Sequence, residues 1–109
     1  MPEGITRADL APPQKIITAA RAVLGAVDFD PYSTPKINEM VMAAKFNNRL
    51  TMTLDDVCAG DWQIRGEKRV FLSPPAMAII SRRLLNKAFR EYRAGRVEQL
   101  LVVLSHNET

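Results

Sequence analysis

Arg69-Val70-Phe71-Leu72 runs without a break into Ser73-Pro74-Pro75-Ala76, and this octapeptide decides how the chain is read. The first four residues have the apolar, β-prone character of a short buried strand. The prolines cannot donate to a sheet ladder, and each holds the residue before it in extended geometry. The strand must therefore stop, and residues 73–76 must form a rigid turn at its carboxyl end. In α/β sheets that edge is where ligands bind, so the turn is a candidate site.

Downstream of the turn, Met77, Ile80, Leu84, Leu85, Ala88, Phe89 and Tyr92 recur at helical spacing. They predict a helix to Ala94 with Gly95 as its stop. The opposite face carries Arg82, Arg83, Lys87, Arg90 and Arg93. From Val97 to Leu104, the run Leu100-Leu101-Val102-Val103-Leu104 reads as a strand buried on both faces. Upstream, Pro12 and Pro13 suit the first turn of a helix whose apolar face is Ile16, Ile17, Ala20, Val23 and Leu24, closed by Gly25. Ala26 to Asp30 alternates as a second strand, which Pro31 is expected to end. Thr34 and Pro35 open a further helix as cap and first-turn residue, and Lys45-Phe46 begins a brief strand. Residues 47–68 read as a long turn-rich surface segment anchored by Leu54, Val57 and Trp62. Strands alternating with helices, one of them apolar throughout, predict a mostly parallel α/β sheet flanked by helices.

With 109 residues, 47% of them hydrophobic and 25% charged, the chain is expected to form one domain over residues 12–109 behind a flexible arm at 1–11. A net charge of +3 suits an anionic partner without requiring one. The single cysteine, Cys58, excludes an intramolecular disulfide and a cysteine-cluster metal site, which fits a reducing cytoplasm. No run approaches the roughly 18 apolar residues of a membrane span, and the amino terminus lacks the basic-then-apolar pattern of a secretion signal. The expected location is cytoplasmic, with no membrane partner. His106 has no second histidine with which to share a metal, and the adjacent Asp55 and Asp56 point apart, so no metal site is expected.

Several of these pieces, in order, resemble the phage-type DNA N6-adenine methyltransferase family. There a Thr-Pro-Pro opening leads into a helix, then a strand ending in Asp-Pro-Ala-Ser, an Asn-containing helix, an acidic loop with a tryptophan, and a strand ending in Asn-Pro-Pro-Tyr. The counterparts here are Ala11-Pro12-Pro13, the helix ending at Gly25, Asp30-Pro31-Tyr32-Ser33, Asn38, Leu54-Asp55-Asp56, Trp62 and Ser73-Pro74-Pro75-Ala76. The resemblance implies a small, truncated Rossmann-like methyltransferase sheet that binds S-adenosylmethionine across the carboxyl ends of its first strands. It places Asp30 and Pro31 at the cofactor, with Pro12 and Pro13 helping to close the pocket, and Ser73, Pro74, Pro75 and Ala76 at the catalytic motif.

In the family, the motif's Asn and the following proline carbonyl accept the amino hydrogens of a flipped adenine while the Tyr stacks on it. Ser73 and Ala76 stand at those two positions. A hydroxyl is a shorter, poorer acceptor than an amide, and its loss is expected to cost roughly 10²–10³ in rate by analogy with oxyanion-hole changes. Losing the stacked ring costs about 1–3 kcal/mol. The expectation is a methyltransferase-like domain impaired in catalysis, possessing at most residual cofactor or DNA binding. Two alternatives stay open: an active adenine-N6 methyltransferase that uses Ser73, and a non-catalytic interaction module of phage or mobile-element origin. Arg82, Arg83, Lys87 and Arg90 are the expected DNA contacts. The edge of the last strand is the expected surface for a homodimer.

Overall fold

The structure is a computed structural model that describes residues 12–104, so the arm expected at 1–11 and His106 lie outside the described residues. Along the chain come α1 (Gln14–Leu24), β1 (Phe29–Ser33), α2 (Pro35–Val41), β2 (Lys45–Asn48), α3 (Leu54–Cys58), β3 (Arg69–Leu72), α4 (Ala78–Arg93) and β4 (Gln99–Val102). The strands form one sheet in the order β2-β1-β3-β4, and every pairing is parallel. The chain is an α/β protein with a parallel sheet flanked by helices.

Side-chain alternation on β3 divides the core in two. Phe71 joins Ile17, Ala20 and Leu24 of α1 and Ile37 and Val41 of α2 on one face. Val70 and Leu72 join Val57 of α3, Leu84 and Ala88 of α4, Phe29 and Trp62 on the other. All three β3 residues have zero exposure, as a parallel strand covered on both faces requires. The step from β1 to β2 runs one way along the sheet with α2 on the first face. The steps through α3 and α4 run the other way on the second face, so all three crossovers have the same hand.

Local chemistry explains the element ends. Gly25 closes α1 at φ 86° and donates to Arg21 O. Thr34 caps α2 by accepting from Ile37 N at 3.0 Å, and Thr53 caps α3 by accepting from Asp56 N at 3.1 Å. At the amino edge, Asp28 Oδ2 takes both the Arg69 amide at 2.9 Å and its Nε at 3.0 Å, which fixes β3 against the start of β1. Gly66 makes that clasp possible: its φ is 81°, and a Cβ there would lie 2.8 Å from Asp28 Oδ1.

Four expectations are corrected. Pro31 lies within β1 instead of ending it. A register shift between Asp30 and Ser33 accommodates the missing N–H. The segment 47–68 contains α3 and is not only a surface loop, while Trp62 anchors it as expected, with Nε1 donating to Val57 O at 3.0 Å and the ring edge-on to Phe29 at 5.4 Å. β4 is an edge strand whose residues are exposed or partly exposed, not a doubly buried one. Finally, α4 turns a different face inward: Leu84, Lys87, Ala88 and Glu91 are buried, while Phe89 and Tyr92 remain 45% and 51% exposed.

That rotation is explained by Glu91. Its carboxylate, only 1% exposed, accepts from Trp62 N at 2.7 Å, Arg96 Nε at 2.8 Å, Arg96 Nη2 at 2.9 Å and Lys87 Nζ at 3.1 Å. Lys87 also donates to Gly60 O. Burial pushes the Glu91 carboxyl up, but the bonds from Arg96, the Trp62 amide and Lys87 outweigh it and bring it down to about 2. A depressed carboxyl stabilises the fold above its unfolded value, near 4.5, and that contribution is lost as pH falls from there towards 2. Glu91→Gln is expected to destabilise by on the order of 3 kcal/mol at pH 7, because Lys87 keeps its charge in a buried place. The penalty should shrink below pH 4. Denaturant unfolding followed by Trp62 fluorescence at pH 7 and pH 3 measures both.

Candidate functional site

The strand order reverses between β1 and β3: the chain leaves β1 outward to β2 and leaves β3 outward to β4. In open α/β sheets the crevice at the carboxyl ends of such a strand pair is the ligand site. Here it is flanked by Asp30-Pro31-Tyr32-Ser33 at the end of β1 and by Ser73-Pro74-Pro75-Ala76 directly after β3. The last rung of the ladder is Val103 N to Leu72 O at 2.9 Å, so the proline turn begins where pairing stops. Helix α1 leads from this edge back to the amino edge, where Leu24 O accepts from Arg69 Nη1. Pro12 and Pro13 at its start are thereby on the crevice side, Pro12 half-buried and Pro13 exposed.

Asp30 is 1% exposed and forms no ion pair among the described residues. Its Oδ1 accepts from Tyr32 N at 3.2 Å. Burial pushes its carboxyl up to about 7, against weaker opposing effects of the Tyr32 amide, the Arg49 charge and the Ser33 hydroxyl. A carboxyl tuned to neutrality at a sheet's ligand edge is the kind of group that functional sites contain. Tyr32 and Ser73 are 9% and 8% exposed, and Ser33, Pro31 and Pro74 are buried deeper still.

Arg49, which follows β2, straps this end of β1. Its amide donates to Ser33 O at 2.7 Å, its Nη2 to Tyr32 O at 2.6 Å, and its guanidinium lies 4.6 Å from the Tyr32 ring centroid. Three concavities on the described surface lie elsewhere, along α4, between α3 and α4, and beside β4. In this conformation the polar groups at the ends of β1 and β3 are closed to solvent by neighbouring protein atoms.

Of the expected DNA contacts, Arg82, Arg83 and Arg90 are exposed on α4. Lys87 is not: it is 4% exposed and committed to Glu91 and Gly60 O, so it is corrected to a core cation. Arg83 pairs with Asp55 at 2.7 Å in an exposed bridge, which is worth little. Nothing in the sequence around Arg49 marks it, because a cation in a turn-rich segment has the pattern of a solvated one. The α3 helix left a clearer signal in Thr53 followed by Asp55 and Asp56, a cap with acids in the first turn. Among the described residues no cluster of histidine, cysteine or carboxylate groups could hold a metal ion.

No protein-family model, no curated protein and no solved structure matches the chain.

Because Asp30 is raised from 3.8 to about 7, it favours the folded state in its protonated form. Its contribution is full below pH 3.8 and is lost as pH rises through 7. Asp30→Asn is expected to remove this dependence and to stabilise the protein by about 1–4 kcal/mol at pH 8 relative to pH 4. Denaturant midpoints for both proteins across that range test it; parallel curves would rule out a raised Asp30.

Proposed function

We propose that the chain is a DNA N6-adenine methyltransferase-like domain that keeps a ligand-binding sheet but is impaired in methyl transfer. The observation that carries this reading is the meeting of two motifs about forty residues apart in sequence. The Asp-Pro and Ser-Pro-Pro segments fall at the carboxyl ends of the two strands that flank the switch point. The cofactor would be S-adenosylmethionine, held near Asp30 and Pro31 with Pro12 and Pro13 at the rim. Ser73 to Ala76 would face the methyl group and the base.

The residues present fit such a group only in part. Asp30 supplies a polar floor and the turn supplies rigid backbone carbonyls. Arg49, however, already lies on Tyr32, and ligand access requires that strap to shift. When bound, S-adenosylmethionine supplies an electrophilic methyl group. Ser73 would offer only a hydroxyl to orient the target amine, and Ala76 would offer no ring on which an unstacked base could rest.

Calorimetric titration with S-adenosylmethionine, paired with thermal unfolding, tests the binding half. At a hundred times the Kd, stabilisation of about 2.7 kcal/mol is expected, and no heat and no shift would remove the cofactor from the proposal. Transfer of labelled methyl groups to duplex DNA tests the other half. The expected rate is at background for the natural chain and rises with Ser73→Asn plus Ala76→Tyr. Robust transfer by the natural chain that vanishes in Ser73→Ala would instead make it an active enzyme.

The closed crevice favours a second reading, an interaction module without catalysis. The outer edge of β4 has no strand partner among the described residues. It is flanked by Val23 of α1 and by Phe89 and Tyr92 of α4, an apolar edge suited to pairing two copies. Sedimentation at micromolar concentration should give a dimer that a Leu100→Lys change returns to monomer. A natural chain that sediments as a monomer would end this reading of the edge.

A further inference from the structure

The surface where α3 meets α4 is concave, and its walls carry Asp55 and Cys58 from α3 and Arg83, Asn86, Arg90 and Arg93 from α4. The four α4 residues follow one another at helical spacing and share a face. Three guanidinium groups therefore line one hollow that holds a single carboxylate. Arg83 spends one of its five N–H donors on Asp55, while Arg90 and Arg93 make no ion pair among the described residues. The Cys58 thiol lies within the reach of this charge: burial raises it, and Arg83, Lys87 and Arg90 pull it the other way.

Two arginines in the last turn of a helix also complement its dipole. That accounts for charge at the end of α4. It explains neither Arg83, two turns earlier, nor the concave arrangement of all three around an amide side chain. Several guanidinium groups lining one hollow beside an amide donor supply the kind of planar, multidentate donors that bind phosphate oxygens.

We infer that this hollow binds phosphate groups, with Arg90 and Arg93 supplying the charge, Arg83 its remaining donors and Asn86 its amide. The site is separate from the crevice at β1 and β3. Helix α4 starts at the carboxyl edge of the sheet, and its 16 residues carry Arg90 and Arg93 roughly 20 Å away towards the amino edge. The inference consequently stands whether or not S-adenosylmethionine binds. Sequence alone grouped Arg82 and Lys87 with these arginines. The fold sends Lys87 into the core and sets Arg82 on a different concavity with Ser81 and Leu85.

The phosphate could belong to a nucleic-acid backbone or to a small phosphorylated molecule, and two probes separate them. The full chain is titrated at low salt with inorganic pyrophosphate and with a short DNA duplex, and the rate at which iodoacetamide alkylates Cys58 is followed alongside. Because Cys58 is the only cysteine and lies in the hollow, its protection reports occupancy of this site and no other. Arg90→Gln with Arg93→Gln should weaken binding at least about tenfold and abolish protection, while lowering thermal stability only by the small helix-dipole contribution of the two charges. For duplex binding it should also reduce the slope of log K against log salt by about 2. Lys36→Gln, on α2 across the sheet, should leave both readouts unchanged. Binding of pyrophosphate with protection identifies a small phosphate ligand, and binding of duplex alone identifies a nucleic-acid backbone. The inference is overturned if neither probe slows alkylation, or if the double variant binds as tightly as the natural chain.

Discussion

A parallel sheet has no face it can leave to water, and in this chain β3 carries that constraint. Val70 and Leu72 point into one apolar cluster and Phe71 into the other. Three residues thus demand two helical layers, and the remaining elements follow from meeting that demand. The amphipathic helices α1 and α2 cover the Phe71 face. The longer crossovers must then supply the second layer, which is why a segment as polar as 47–68 still folds a short helix and buries Trp62. A single large-to-small change at Phe71 or Leu72 would open a cavity in one layer while leaving the other packed.

Charge is used inside this frame in two opposite ways. Glu91 is ionised in the core because the Trp62 amide, Arg96 and Lys87 all donate to it. It ties α4, the loop at Trp62 and the approach to β4 at one point. Asp30 is equally buried but receives mainly a single backbone amide, so desolvation prevails and its carboxyl titrates near neutrality. One buried carboxylate is satisfied and structural. The other is poised, and it sits at the sheet edge where α/β proteins place ligands.

Arg90 and Arg93 of the hollow lie far from the crevice for a topological reason. Each helix after a strand returns from the carboxyl edge to the amino edge, so the turn after β3 and the last turn of α4 are separated by the length of that helix. Polar groups at the carboxyl edge are buried, and Arg49 bonds to and stacks on Tyr32 there. The arginines at the other end of α4 stand open around a hollow. An adenosyl ligand and a phosphate would not compete for the same surface.

The sequence by itself determined most of the elements, the parallel sheet and the strand that stops just before Ser73, though not α3, because proline geometry, caps at Thr34 and Gly25, and apolar spacing act over a few residues. It also placed Asp30 and Ser73 each on a strand-to-proline segment, and the sheet sets those two segments on neighbouring strands. Three things waited on the tertiary structure. A register shift let Pro31 continue a central strand, α4 turned Lys87 and Glu91 inward in place of Phe89 and Tyr92, and Arg49 closed over the end of β1. Each depends on a partner distant in sequence. Lys87 can be buried only because Gly60 and Glu91 receive its charge, and no local pattern around Lys87 announces the Gly60 carbonyl 27 residues away.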